Sequence, residues 1–542
     1  MIRHLYLVGA MGSGKTTVGG LIAQRLQLPF YDLDQQIEQA TGQTIANLFA
    51  QQGEQVFREL ECEMLTQTIF VPRSVIATGG GVVLNERNRR LMRHRGWVIY
   101  LRASPETLWQ RLQHTTDRPL LRTESPYETL RAIAQQREPL YQEADWVIET
   151  DALRPEEVAD AVVRALKPTP DAPLIIPVLP NQPHEYPVQV APGIMTSAVQ
   201  AILQRIQPTR VVILTHPNLR GYADPLRAGF TRNGVPAHLM TLPSGERVKS
   251  LRVAERLYAQ LLESGCDRGS LLVIIGGGVL GDLGGFVAAT YMRGIPYVQI
   301  PTTLLAQVDS SVGGKVAVDL PHGKNLVGAF HQPLMTLVDP ETLRTLPLRH
   351  WRNGFAEMLK YGAALQVGLW RRLQTMLGQG VLGARRVRKA PDYWTLPIAR
   401  CISLKAQVVS DDERDLSGRR ALLNFGHTVG HAIEAALGYR GWLHGEAIAT
   451  GMVAEAEIGR VLGITPPEVA DELRETIAQA GLPTQLPAGV DADTLLTHMR
   501  HDKKRAGDAL NIVLLEGIGN ARLVSNIPTE AIREALTRCA TS

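Results

Sequence analysis

At 542 residues the chain exceeds what one hydrophobic core supports, because domains ordinarily run to about 100 to 200 residues, so several folded bodies are expected. Apolar content of 44% and charged content of 20% are those of a globular protein, and a net charge of +4 is too small to mark a nucleic-acid surface. The cysteines Cys62, Cys266, Cys401 and Cys539 stand far apart with no CxxC pair, which argues against a thiolate zinc site or a disulfide framework and fits a reducing cytoplasm.

From the start, His4 to Val8 is a short apolar strand that opens into Gly9-Ala10-Met11-Gly12-Ser13-Gly14-Lys15-Thr16, a match to GxxxxGK[ST], followed by an amphipathic run from Thr17 to Leu26. Such glycines let backbone amides close around phosphate oxygens at a helix N-terminus; Lys15 adds a charge for the β and γ phosphates, and Thr16 can ligate Mg²⁺. Residues 5 to 13 run directly into this loop without a cleavage region, and no run reaches about 18 apolar residues, so neither a secretory leader nor a membrane span is expected.

Further strands at Phe30 to Leu33, Val75 to Thr78, Trp97 to Leu101 and Trp146 to Ile148 alternate with helical stretches, predicting a parallel sheet covered on both faces. Ligands gather at the strand C-termini of such sheets. There lie Asp32 and Asp34, the triplet Gly79-Gly80-Gly81, and Arg58 on the intervening helix. A carboxylate can approach an alcohol or hydrated Mg²⁺, an arginine can grip a carboxylate, and glycines let backbone touch a substrate. Taken singly, the aspartates also read as helix caps and Arg58 with Glu61 as a surface i,i+3 pair.

Together these motifs resemble shikimate kinase, of the nucleoside monophosphate kinase fold, over nearly all of residues 1 to 167. The resemblance implies that Gly12, Ser13, Gly14, Lys15, Thr16 and Thr17 hold ATP, with Thr16 and Asp32 serving Mg²⁺. It makes Asp34 the candidate base toward the shikimate hydroxyls, Arg58 and Arg137 the grip on its carboxylate, and Gly79, Gly80 and Gly81 the ring contact. Thr116 to Leu121, TDRPLL, looks like the family's lid and would bring Arg118 onto the ATP phosphates. A closing arginine excludes water and neutralises the γ-phosphate, as phosphoryl transfer requires.

Between Lys167 and Val188, prolines at 168, 170, 173, 177, 180, 183 and 187 read as a semi-rigid polyproline spacer over residues 168–185. Beyond it, Val211 to Leu214, His238 to Thr241 and Leu271 to Ile275 again alternate with helical runs. The last leads into Gly276-Gly277-Gly278-Val279-Leu280-Gly281, a GxGxxG between strand and helix that suits a pyrophosphate. The acid expected about 20 residues on in a Rossmann unit is missing, so a dinucleotide site of another design is expected.

Pro301 to Pro333 is dense in Gly, Ser, Thr, Lys and Asp, as if built around something polar: Lys315, Lys324 and Asn325 could bind phosphate, and Asp309 could orient a cation or move a proton. After Asp339 the pattern turns helical to the end. In that part lie Glu357, Lys360, Lys405, Asn424, the HxxxH pair His427 and His431, and His444. HxxxH puts two rings on one helical face, and a third His with a Glu on another helix favours a metal.

These blocks resemble 3-dehydroquinate synthase over essentially all of residues 186 to 542. That family closes 3-deoxy-arabino-heptulosonate 7-phosphate to 3-dehydroquinate with loss of phosphate, using NAD and a divalent metal, Zn or Co. The resemblance implies Glu357, His427 and His444 as ligands, with His431 beside the substrate. Glu246, Lys249, Gly277, Gly278, Asp282, Thr302 and Thr303, with Lys315, Lys324 and Asn325, would serve NAD. Lys315, Lys360, Lys405, Arg420, Asn424 and one of Lys503 or Lys504 would hold phosphate and carboxylate, and Asp309 would sit near the reacting carbons. Two departures stand out: the stretch Asp412 to Asn424 is one residue longer than usual, leaving Arg419 or Arg420 as substrate arginine, and Leu214 to Asn218 lacks the acid that relatives often place at the adenosine ribose.

The expected class is α/β: an N-terminal P-loop, nucleoside-monophosphate-kinase-like parallel sheet (1–167), the linker (168–185), an α/β NAD-binding domain (186–340) and a mostly α-helical metal and substrate domain (341–542). The expected protein is a cytoplasmic two-headed enzyme, taking shikimate with ATP and Mg²⁺ at one head and the heptulosonate phosphate at the other, binding neither nucleic acid nor membrane and dimerising through the synthase half. The rival is a small-molecule kinase fused to a metal-dependent polyol dehydrogenase or another sugar-phosphate cyclase; phosphate-binding lysines favour the cyclase.

Overall fold

The computed structural model describes residues 4–113, 119–121, 123–179, 185–321, 323–383, 392–413, 418, 420–503 and 510–540. The chain divides into two compact units: Met1–Lys167 with Gln366–Thr375, and Pro168–Leu365 with Met376–Ser542.

The first unit is built on β1 (His4–Val8), β2 (Phe30–Asp32), β3 (Val75–Ala77), β4 (Gly96–Arg102) and β5 (Trp146–Glu149), all parallel in the order β2-β3-β1-β4-β5. β1 is buried at every position, as a central strand covered on both faces must be. From β1 the chain winds to one side, and from β3 to the other, so the loops after these two neighbours open a crevice at the strand C-termini. Residues 366–375 complete the unit: Arg372 pairs with Asp145 at 2.5 Å, donates to the carbonyls of Arg93 and Gly96 at 2.8 and 2.7 Å, and lies over the Trp97 ring.

The second unit holds a seven-stranded sheet of β6 (Leu174–Val178), β7 (Tyr186–Val190), β8 (Val211–Thr215), β9 (Ala237–Thr241), β10 (Leu271–Gly276), β11 (Tyr297–Pro301) and β14 (Met335–Val338), in the order β6-β7-β14-β11-β10-β8-β9. Leu272 and Ile274 of β10 face one apolar cluster, Leu271, Val273 and Ile275 the other, so the strand reads as a continuous apolar run. β12 (Lys315–Leu320) and β13 (Gly323–Phe330) form a separate hairpin.

Two expectations are corrected here. Leu174–Val178, inside the proline-rich stretch read as a spacer, is an edge strand antiparallel to β7, with Pro177 opposite Pro187; an edge is where a strand tolerates the missing amide. The chain after Asp339 is not helical throughout either, since β15 (Ile512–Gly517) and β16 (Asn520–Val524) make a hairpin ahead of the last helix.

Candidate active sites

In the first unit the loop after β1 turns through left-handed backbone at Gly12 (φ 82°) and Gly14 (φ 87°), conformations that glycine adopts without steric cost. Gly14 precedes the helix Lys15–Leu26 with no side-chain cap, leaving the first amides directed at the loop, a ready anion site. The Lys15 ammonium lies inside it, donating to the carbonyls of Gly9 and Ala10, both at 2.9 Å. The Thr16 hydroxyl donates to Asp32 at 2.6 Å, pairing the two oxygens a Mg²⁺ ion would share. Asp32 is also the helix cap of the simpler reading, accepting from the Asp34 and Gln35 amides.

The loop after β3 brings the acceptor residues together. A Cβ at Gly79 would lie 2.2 Å from Glu61 Oε1 and 3.0 Å from Asp34 Oδ1, and one at Gly81 would lie 2.2 Å from the Arg58 guanidinium. The Gly80 carbonyl accepts from Arg137 at 3.1 Å and the Tyr141 hydroxyl at 2.5 Å. Asp34, Arg58, the glycine triplet and Arg137 are therefore one constellation. The Arg58–Glu61 pair is not a surface pair: Glu61 is 1% exposed and bonded to Arg58 at 2.9 Å. Burial, only partly offset by Arg58, raises its carboxyl to about 7. Arg118 lies outside the described residues.

In the second unit the turn after β10 lies where the winding direction reverses between β8 and β10. A Cβ on Gly277 would lie 3.1 Å from Thr303 and one on Gly278 2.8 Å from the Ser310 hydroxyl, so only glycine keeps this cleft open. The following helix, Gly278–Thr290, has no side-chain cap, which fits a pyrophosphate. Beside it Lys249 donates to Asp282 at 2.6 Å and Asn325 at 2.5 Å, and Lys324 lies 3.8 Å from Glu246. Thr302 is buried and donates its amide to the Gly276 carbonyl at 2.9 Å. These contacts bring Lys249, Asp282, Asn325, Lys324 and Glu246 together beside the glycine turn.

A second cluster is set by three helices. His427 begins His427–Ala436 and His444 begins His444–Val461; buried Glu455 accepts from the Gly426 amide at 2.6 Å ahead of the first, and Asn353 from Gly445 at 2.6 Å at the start of the second. Gly451 packs where a Cβ would lie 2.0 Å from the Gly426 carbonyl, so these helices meet backbone to backbone. Their imidazoles converge on Glu357, on Leu348–Leu365, at 3.6 and 3.5 Å, and the three donor atoms lie within 4.8 Å of one another. Glu357 is completely buried, and the groups that face its oxygens are the Lys360 ammonium at 2.5 Å and the two imidazoles, with no well-aligned hydrogen bond among them. A buried carboxylate and two imidazoles converging in this way make a donor set that fits a divalent cation.

The electrostatics treat the two imidazoles in opposite ways. Burial and the Lys360 charge push His427 down to about 3, leaving a neutral imidazole with a free lone pair. Burial would lower His444 too, but hydrogen bonds to Glu357 and Glu434 outweigh it and raise it to about 9. Lys360 lies 2.5 Å from Glu357. Lys405 donates to Asp309 at 2.8 Å, and the Tyr361 hydroxyl donates to the same carboxylate; burial disfavours that carboxylate's charge, yet Lys405 and Lys360 hold it down to about 2. Asp309 sits in the turn Ala306–Ser310, a π-helical turn closed by Ser311 N to Ala306 O at 3.2 Å, a feature frequent at functional sites.

Not every expected residue joins. Arg420 is buried but donates to the carbonyls of Glu413 and Gly313 at 2.5 and 3.4 Å, while Asn424 and Lys315 are exposed; His431, also exposed, does lie at the cluster, its ring centroid 5.2 Å from that of His427 and 6.1 Å from that of His444. Arg419, Lys504 and the side chain of Lys503 lie outside the described residues. Sequence reasoning missed Glu61, Tyr141, Tyr361 and Glu434. Only Glu434 carried a usable signal, falling seven residues after His427 and three after His431 on one helical face.

The family model for shikimate kinase matches residues 11–167, and those for the N-terminal and C-terminal parts of 3-dehydroquinate synthase match 239–353 and 354–505. A 3-dehydroquinate synthase of Synechococcus sp. is 42% identical over 365 residues, covering 67% of this chain and 97% of its own length. A 2-deoxy-scyllo-inosose synthase solved with carbaglucose-6-phosphate, NAD⁺ and Co²⁺ is 25% identical with a TM-score of 0.60, covering 68% of this chain and all of its own. The 2-epi-5-epi-valiolone synthase of Streptomyces hygroscopicus subsp. jinggangensis 5008, solved with NAD⁺ and Zn²⁺, is 26% identical with a TM-score of 0.59, covering 65% of this chain and 96% of its own.

Proposed function

Because the chain belongs to the 3-dehydroquinate synthase family, with a shikimate kinase segment fused ahead of it, we propose that the two constellations described above are the working sites of those two reactions. The first phosphorylates shikimate to shikimate 3-phosphate with ATP; the second converts 3-deoxy-arabino-heptulosonate 7-phosphate to 3-dehydroquinate and phosphate. The observation that carries the second reading is the completely buried Glu357 carboxylate, faced by both His427 and His444.

At the kinase head Lys15 and the amides after Gly14 hold the phosphates, and Thr16 with Asp32 holds Mg²⁺. Arg58 and Arg137 orient the substrate carboxylate against Gly79–Gly81, and Asp34 takes the proton of the attacking hydroxyl. At the other head Gly277, Gly278, Thr302, Lys249, Asp282 and Lys324 hold the dinucleotide, and Glu357, His427 and His444 hold the divalent ion. When bound, these two groups supply a hydride acceptor and a Lewis acid. Lys360, Lys405 and Arg420 supply positive charge for the substrate's phosphate and carboxylate. Asp309, held ionised by its lysines, faces the reacting carbons, and exposed His431 moves a proton at the cleft. The rival polyol dehydrogenase has no use for this concentration of buried lysine.

The reading extends to a cytoplasmic enzyme that dimerises through its synthase half; the four cysteines are unpaired, and among the described residues no helix is long and apolar enough to cross a membrane. Lys15→Met and Glu357→Gln test the assignment in paired assays. The first is expected to abolish shikimate phosphorylation and spare cyclisation, the second the reverse. Joint loss of both activities in either variant, or net NADH formation by the wild type, would overturn it.

A further inference from the structure

Glu434 is the unassigned carboxylate at the metal centre. It lies on the same helix as His427 and His431, two turns in from His427, with its side chain 10% exposed. One of its oxygens lies 3.3 Å from Nδ1 of His444, and the other 3.5 Å from the Lys324 ammonium. Across the same ring, Nε2 of His444 lies 3.5 Å from Glu357. The imidazole is thus strung between two carboxylates, one at each nitrogen.

A ring in this position can ligate an ion beside Glu357 only through a bare Nε2, and a neutral imidazole with bare Nε2 carries its proton on Nδ1. Glu434 is placed to accept that proton's hydrogen bond. A second grouping of donors, His431, Glu434 and His444, also lies within 4.8 Å. Burial favours the Glu357 set for the ion: Glu357 is completely buried, whereas His431 is exposed, and although each carboxylate has a lysine beside it, Lys360 at Glu357 and Lys324 at Glu434, Glu357 is the one faced by both His427 and His444.

We propose that Glu434 is a positioning residue that fixes the tautomer and orientation of His444, with Lys324 compensating its charge, so that a divalent cation meets a preset Nε2. Carboxylates placed behind a ligating histidine typically contribute about 10- to 100-fold in metal affinity. Lys324 belongs by its other contact, Glu246 at 3.8 Å, to the dinucleotide cradle, so Glu434 also stands between the two cofactor sites.

The inference rests on the ligand reading of Glu357, His427 and His444, and the test separates the two. Zn²⁺ affinity of the full chain is measured by competition with a chromophoric chelator, and the ligand field is read from the visible bands of the Co²⁺-substituted protein, for wild type, Glu434→Gln, Glu434→Asp and Glu357→Gln. Expected for both Glu434 variants is one metal per chain, an affinity about 10- to 100-fold weaker, and cobalt bands unmoved in position. An affinity within twofold of wild type overturns the proposal. So does loss of the bound metal with shifted cobalt bands, which would make Glu434 a direct ligand. Kinase activity and the melting curve of the metal-free chain report folding; if the glutamine variant is unfolded, the aspartate variant decides. Retention of wild-type metal by Glu357→Gln refutes the ligand reading itself, whatever Glu434 does.

Discussion

The rings of His427 and His431, four residues apart on one helix, meet edge to face with centroids 5.2 Å apart, yet the His427 side chain is 13% exposed and aimed at Glu357 while His431 is open to solvent. HxxxH spacing alone would make both rings ligands; the proposed ligand set, built on buried Glu357, takes only the first. His427→Ala is therefore expected to lower metal content at least tenfold. His431→Ala should keep near-stoichiometric metal but lose about 10²- to 10⁴-fold in cyclisation, the usual range for a positioned proton-transfer group. Metal analysis of the purified variants decides, and equal loss from both would mean the helix binds through both rings.

That pair also marks what a sequence can tell. Spacing identified the P-loop, the glycine turns and the HxxxH pair, because each needs a residue type that few other contexts require, whereas the grouping of Glu357 with His427 and His444 came only from family resemblance. It failed where pairing partners are distant. Leu174–Val178 looked like a spacer because prolines dominate it, and only the register against Tyr186–Val190 reveals a strand. Glu61 looked like half of a surface pair because i,i+3 spacing carries no information about burial. Residues 366–375 gave no sign that they complete the first unit.

Gly81→Ala tests the acceptor site. Its backbone is not left-handed, so an alanine meets no conformational strain, but its Cβ would fall 2.2 Å from the Arg58 guanidinium. Arg58 must move, and a shift of about 1 Å in an orienting group costs on the order of 10²-fold. The expected result is a shikimate KM raised at least tenfold with the ATP KM near wild type. An unchanged shikimate KM would remove Arg58 from the carboxylate site.

The Glu61 carboxyl gives the kinase unit a pH signature. Its folded value is about 7 against an ordinary 4.5, chiefly through burial, with Asp34 adding to the rise against the pull of Arg58. Between these values the folded state binds a proton that the unfolded state releases. The contribution is therefore fully present below pH 4.5 and lost as pH rises through 7. Relative to Glu61→Gln, which does not titrate, wild type should lose on the order of 2–3 kcal/mol of stability from pH 5 to pH 8. Parallel stability curves for the two proteins over that range would refute the assignment.

Within the first unit, Arg372 and Asp145 are each 2% exposed and 2.5 Å apart, and Asp145 also accepts the Val98 amide at 2.7 Å, so the pair is tied to the start of β4. Removing one member of such a pair leaves a charge without water or partner, which costs about 3–5 kcal/mol, while replacing both with uncharged groups costs far less. Arg372→Met in the full chain should lower the temperature at which kinase activity is lost by roughly 10 °C, given the few degrees per kcal/mol usual at this size. Asp145→Asn on top of it should recover much of that loss, because the asparagine amide needs no counter-charge and its oxygen can still accept from Val98. The cycle is read by thermal inactivation of shikimate phosphorylation, with cyclisation followed in parallel. If Arg372→Met inactivates at the wild-type temperature, the ion pair is not part of what holds the kinase unit together.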